Sequence, residues 1–166
     1  MVNLLKEKFM NHKLIYPMKH VNITQGSLGE FSHKNVYAID LAGSDSGADE
    51  VFAQGTGKVI EITDKSVTVR YDNIVGQSGV VYKYAEVLYY HQTANPGIKV
   101  GQQLRMGQVF MREGMKGNAT GNHIHVEIKC MTAKGLVPMM PERMFFADPR
   151  INRQIRNDGK EPVRLI

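Results

Sequence analysis

His123-Ile124-His125-Val126-Glu127-Ile128 alternates polar and apolar side chains without a break. Side chains on a strand alternate with a period of two, so the pattern predicts a strand over residues 123–129. Ile124, Val126 and Ile128 then face a core, and His123, His125 and Glu127 share the opposite face. Two imidazoles at i and i+2 stand roughly 6–7 Å apart at Cβ, given a rise of about 3.3 Å per residue. One of them can bind a metal while the other reaches a group lying beside it. The same pattern also suits two solvated histidines on an ordinary strand, so support must come from elsewhere in the chain. The loop before it, Gly114–Asn122, is rich in glycine and asparagine and favours close approach of a ligand to backbone.

On either side of this stretch the chain reads as short extended runs broken by turns. Val36–Ala42 alternates, with Tyr37, Ile39 and Leu41 on one face and Ala38, Asp40 and Ala42 on the other. Val51–Ala53, Gly57–Thr63, Ser66–Tyr71 and Val80–His91 are further expected strands, with turns at Asp64–Lys65 and Gly76–Gly79. After the turn signal Asn95-Pro96-Gly97, short strands are expected at Lys99–Gly101 and Met106–Met111. Helix is expected only as a short piece through Leu4, Leu5 and Phe9 and another around Ile151–Arg156. The sum is a mostly β fold, an antiparallel sandwich or partly open barrel with little helix. Residues 1–14 read as an N-terminal extension, 15–135 as the functional domain and 136–166 as a C-terminal tail packing on it.

The gross composition agrees with one folded domain. The chain has 166 residues, 42% hydrophobic and 22% charged, enough for a single core. Its one cysteine, Cys130, cannot form an intrachain disulfide and reads as a packed thiol. A formal charge of +5 attracts polyanions in general. The basic residues are scattered apart from Arg150, Arg153 and Arg156, with no zinc-finger spacing and no aromatic-basic stripe, so no nucleic acid is expected as partner. No run approaches the roughly 20 apolar residues that span a bilayer, so membrane insertion is not expected. Residues 1–13 carry Lys6, Glu7, Lys8 and Lys13 without an apolar centre, and no signal peptide is expected there.

Beyond the 123–125 pair, three residues are candidates for chemistry. His33 lies in a polar loop. Asp40, flanked by Ile39 and Leu41, is poorly placed unless paired or bound to a cation. His91 closes the run Val87-Leu88-Tyr89-Tyr90-His91. Imidazole nitrogen and carboxylate oxygen both bind Zn²⁺, and three protein ligands with a fourth position for water are the pattern of catalytic zinc. The residues alone leave open which three of the four histidines and Asp40 would hold the metal. Glu127 reads as a supporting or surface residue on the histidine face. The carboxylates of Asp45–Glu50 lack EF-hand spacing and read as a solvated loop.

Three stretches, Ser32-His33-Lys34-Asn35-Val36-Tyr37-Ala38-Ile39-Asp40, Tyr89-Tyr90-His91 and Gly121-Asn122-His123-Ile124-His125-Val126-Glu127, together resemble the signatures of the lysostaphin-type zinc endopeptidases. The connecting sequences Val51–Ile62 and Ile98–Val109 resemble that family too, and the likeness runs over about residues 15–130. It implies that His33, Asp40 and His125 bind Zn²⁺ and that His91 and His123 are the catalytic histidines. One of these two would assist proton transfer, His123 in the first instance, and the other would stabilise the oxyanion. The implied substrate is the peptide part of bacterial peptidoglycan, stem peptide or cross-bridge. Asn122 stands where the family usually has proline, and Val126 where it has an aromatic residue, changes that bear on substrate fit. The six residues between His33 and Asp40 resemble the spacing of a bacteriophage subset. That subset implies an endolysin-like, antimicrobial hydrolase released at lysis or carried in a virion. The rival implied by the same likeness is a catalytically silent relative that binds the wall or a partner.

Overall fold

The computed structural model describes residues 11–157 and 161–166. The short helix expected through Leu4, Leu5 and Phe9 lies outside the described residues. The first strands are β1 (Leu14–Ile15), β2 (His20–Gln25), β3 (Ile39–Ala42) and β4 (Glu50–Phe52). They are followed by β5 (Gly57–Ile62), β6 (Ser66–Val75), β7 (Val81–Tyr90), β8 (Gln103–Leu104) and β9 (Val109–Arg112). The chain ends with β10 (Ile124–Thr132), β11 (Gly135–Met139), β12 (Phe145–Phe146) and β13 (Gln154–Asn157). A single 3₁₀ turn, Pro141–Arg143, is the helical element among the described residues. None of the described helices is long and apolar enough to cross a membrane.

The main sheet has the order β13-β2-β3-β10-β7-β6-β5-β8, with β11 also paired to β10. It does not close on itself, so the fold is an open sheet backed by two small ones, β1-β12 and β4-β9. Alternation explains the layering. Ile124, Val126 and Ile128 of β10, Ala85, Val87 and Tyr89 of β7, and Ile39 and Leu41 of β3 all point inward and are buried. They share one core with Leu14, Val51, Phe110 and Phe145 from the small sheets. Each buried valine, leucine, isoleucine or phenylalanine among them stabilises the fold by about 1.5–3 kcal/mol through lost apolar surface, before the cost of ordering the chain. Cys130 is buried in the same core, as expected. The outward face of the central strands carries Asp40, Tyr90, His125 and Glu127.

Several local expectations need correction. Pairing is mixed rather than purely antiparallel, because β1-β12 and β13-β2 are parallel. Residues 99–101 form a turn, not a strand: Gln102 N donates to Lys99 O, and Gly101 takes φ +89. The next strand starts at Val109 rather than Met106, because Gly107 (φ +83) and the Gln108 N to Arg105 O bond make another turn. Ile151–Arg156 is not helical. Asn152 Nδ2 donates to Tyr16 O and Met18 O, and Arg153 N donates to Lys19 O, which lays the following residues alongside β2 as β13. Tyr37 does not share the face of Ile39 and Leu41. It precedes the strand and is 41% exposed, since the loop before it closes on itself through Leu28 N to Val36 O.

Candidate metal centre

The central register brings two of the site's residues together. In the antiparallel pair β3–β10, His125 stands directly opposite Asp40, and on the other side of β10 it stands opposite Tyr90 of β7. Directly opposed residues have Cβ atoms about 4.5–5.5 Å apart, within reach for their side chains to meet. His33 arrives from the loop between β2 and β3, which folds back over them. Its Nε2 lies 3.2 Å from His125 Nδ1 and 3.3 Å from Asp40 Oδ1, and His125 Nδ1 lies 3.1 Å from Asp40 Oδ1.

The tautomers follow from what the other ring nitrogens touch. His33 Nδ1 is 2.9 Å from Gly26 O, and a carbonyl only accepts, so the hydrogen sits on Nδ1. His125 Nε2 is 2.9 Å from Glu127 Oε1 and donates to it. That bond holds the Glu127 carboxyl below its ordinary range, although burial opposes it. With both rings neutral, His33 Nε2, His125 Nδ1 and Asp40 Oδ1 turn three lone pairs towards one point. Such a triangle is repulsive without a cation at its centre. Ligands at about 2.0–2.1 Å around a tetrahedral zinc stand roughly 3.3 Å apart, so the three edges match one face of that tetrahedron. Metal-bound histidines usually donate their second ring nitrogen to a carbonyl or carboxylate, as both do here. The donor set fits zinc.

The electrostatics agree that positive charge is favoured there. For Asp40, burial alone would raise the pKa, but hydrogen bonds from His125, His33 and Gln25 outweigh it and hold the carboxyl far below its usual range. Burial likewise works against a charged His125, yet its bonds to Asp40 and Glu127 push it up to about 9. The field that keeps a proton on His125 is the field that would hold a metal ion in the proton's place.

His91 and His123 stand beside this triangle. Their rings lie 4.3 Å apart between centroids, and His123 Nε2 is 3.9 Å from Asp40 Oδ1. His91 Nδ1 donates to Lys116 O at 2.7 Å and His123 Nδ1 to Gly121 O at 2.9 Å, so each neutral ring keeps its lone pair on Nε2. Burial, aided by the neighbouring His123 and His125, lowers the pKa of His91, with the Lys116 bond opposing. His91 also takes φ +93, a left-handed conformation that costs a non-glycine residue of order 1–3 kcal/mol. Three bonds hold it there: His91 N to Lys65 O, Lys116 N to His91 O, and the ring bond to Lys116 O. Gly114 passes so close to His91 O that a Cβ on it would collide.

All five side chains singled out in the sequence line one open groove of about 1030 Å³, walled by the loops around Phe31 and Asn118. Gln25 escaped the sequence reading. Its Nε2 donates to Asp40 Oδ2 at 3.0 Å, which leaves Oδ1 for the triangle, and its amide also ties Ser32. A β-bulge between Ile23 and Gln25 brings Gln25 opposite Asp40, and a bulge leaves no mark in alternation.

No protein-family model matches the chain. It is 29% identical over 116 residues to Morphogenesis protein 1 of Bacillus phage B103, across 68% of this chain and 31% of that protein. The chain thus spans about a third of the length of this curated relative. Among solved structures, a chain of the SpoIIQ–SpoIIIAH pore-forming complex superposes with a TM-score of 0.58 and 17% identity, over 82% of this chain and 92% of that one. A zinc-containing peptidase from Vibrio cholerae superposes with a TM-score of 0.54 and 21% identity, over 78% of this chain and 40% of that one. The protein shares its fold with both.

Proposed function

We propose that the protein is a lysostaphin-type zinc endopeptidase that hydrolyses peptide bonds of bacterial peptidoglycan, in the service of a bacteriophage. The observation that carries this reading is the triangle of lone pairs from His33, Asp40 and His125, open on its remaining side to a groove shared with His91 and His123. The zinc-containing peptidase of the same fold supports the chemistry, and the phage morphogenesis relative supports the setting. Peptidoglycan as substrate is suggested by the sequence likeness.

Zinc held by His33 Nε2, Asp40 Oδ1 and His125 Nδ1 would supply Lewis acidity, polarising an amide carbonyl and bringing the pKa of water towards about 7. The groove would hold the substrate peptide extended across the outer face of β7 and β10. His91 and His123 divide the proton handling. Two imidazolium ions with rings 4.3 Å apart repel, so the pair favours at most one added proton beyond its two Nδ1 hydrogens. His91, whose charged form burial disfavours, is the neutral partner and accepts the proton of the attacking water at Nε2. His123, carrying the pair's added proton, passes it from Nε2 to the oxygen on which negative charge develops, so the two rings are not charged together. It takes the proton back as the carbonyl reforms, while His91 returns the water's proton to the departing amine nitrogen. This exchanges the roles first suggested by the sequence.

Purified protein should release new amino termini from peptidoglycan, stop when a chelator removes the metal, and resume when zinc is restored. His91→Ala and His123→Ala should each keep zinc and lose at least about 100-fold in rate. His125→Ala should lose both. Digestion that ignores the chelator, or a His123→Ala protein that releases its metal, would contradict the assignment. The match over 92% of a chain from a pore-forming complex favours a second reading, a silent scaffold that binds a partner or the wall. That reading predicts wall binding with no new amino termini in the same assay.

A further inference from the structure

The loop that delivers His33 has little apolar anchorage. Among residues 26–37, His33 is the one buried side chain, and Leu28 and Phe31 are 49% and 84% exposed. Leu28 also takes φ +61, which a leucine adopts only under constraint. The position of this loop, and so of the His33 ring, must therefore be set by polar ties. One tie is the Gln25–Ser32 pair at the rim. A second is a long contact of 3.4 Å from the Ser27 hydroxyl to Ala38 O, and the third and shortest comes from 115 residues further along the chain.

Glu142, in the 3₁₀ turn Pro141–Arg143, is 4% exposed and reaches under the loop. Its Oε1 accepts Ser27 N–H at 2.5 Å and its Oε2 accepts the Ser27 hydroxyl at 2.8 Å. Hydrogen bonds to an ionised acceptor are about twice as strong as neutral ones. The residue so gripped adjoins Gly26, whose carbonyl takes both Gly29 N–H and His33 Nδ1–H. The connection runs from Glu142 to Ser27, to the Gly26 carbonyl, to His33 Nδ1, and so to the lone pair on Nε2.

We propose that Glu142 is a positioning residue of the metal centre, which fixes the His33 loop from beneath and makes the C-terminal segment part of the site. This rests on the zinc reading above. Groups that orient a metal-bound histidine typically contribute 10–100-fold to metal affinity.

The test is Zn²⁺ affinity by competition with a chromophoric chelator, paired with thermal unfolding. Glu142→Ala should bind zinc roughly 10–100-fold more weakly. Glu142→Gln, whose amide oxygen still accepts Ser27 N–H, should recover most of that affinity. Asn152→Ala serves as a control for stability alone, because it removes three buried bonds of the same C-terminal segment away from the groove. It should unfold at lower temperature with zinc affinity unchanged. A Glu142→Ala protein that binds zinc as tightly as wild type, or no more weakly than Asn152→Ala, overturns the proposal. Where Glu142→Ala does not fold, Glu142→Met, which fills the same space without an acceptor for Ser27, carries the test: weaker zinc binding supports the proposal and unchanged binding overturns it. If wild type and His125→Ala bind zinc alike, the metal reading itself fails, and this inference with it.

Discussion

At the scale of single residues, the groove is organised by where four histidines keep their ring hydrogens. His33, His91 and His123 each give one to a backbone carbonyl, and His125 gives one to Glu127. Every remaining lone pair is thereby aimed inward, two into the triangle and two beside it. The assignment of His91 as base has a definite sign in pH. Its working form is the neutral ring, and burial lowers its pKa from the ordinary 6.5. We therefore expect the acid limb of kcat/KM, where His91 gains a proton, to lie at a value below 6.5. Were His91 to act as the protonated donor, activity would instead fall as the pH rises through that value. A pH profile at saturating zinc separates the two. All five sequence candidates line one groove; the histidine pair on one strand face and the aspartate wedged between apolar neighbours were legible from pattern, whereas His33 and His91 stood out only through the resemblance. Gln25 and Glu142 were not legible, because an amide or a carboxylate among many carries no local signal.

At the scale of elements, the strands set the register and the loops set the walls. β10 was readable from alternation and β7 from its Val- and Tyr-rich run after a turn, and their observed bounds differ from the expected ones by a few residues. Residues 99–111 were less readable, because two glycine turns cut an apolar stretch where pattern alone suggests strands. Glu113, just after β9, shows how a loop behind a wall is fixed. It is buried, and its carboxylate accepts Gly43 N–H at 2.6 Å and Asp49 N–H at 2.9 Å. The loop it pins backs the wall around Asn118, where Asn122 Nδ2 donates to Ser46 O. Removing the carboxylate in Glu113→Ala strands two backbone donors and should cost roughly 1–3 kcal/mol. Burial, with help from Asp49 and Asp45, pushes Glu113 up to about 7 from 4.5, although the two N–H bonds oppose it. The folded chain then holds a proton that the unfolded chain releases across that interval. The stability due to this linkage is full below about pH 4.5 and is lost as the pH rises through about 7. Urea unfolding should show a larger gap between wild type and Glu113→Ala at pH 5 than at pH 8. An equal or reversed gap would show that burial does not govern this group.

At the scale of the whole molecule, an open sheet turns one face to a single core and leaves the other free for a groove. The β class and the sandwich-like layering followed from turn spacing and alternation. The parallel pairings did not, because β1-β12 and β13-β2 join segments more than 120 residues apart and nothing in either segment announces its partner. Those pairings bind the C-terminal segment to the start of the domain and carry Glu142 to the underside of the His33 loop. The fold thus gathers one carboxylate and two imidazoles from three places in the chain, which is the central claim to be tested. Diffraction from zinc-soaked crystals, recorded on both sides of the zinc absorption edge, tests it most directly. We expect one strong anomalous peak about 2.0–2.2 Å from His33 Nε2, Asp40 Oδ1 and His125 Nδ1. A groove with no peak between those atoms, or a peak held by His91 and His123 instead, would contradict it.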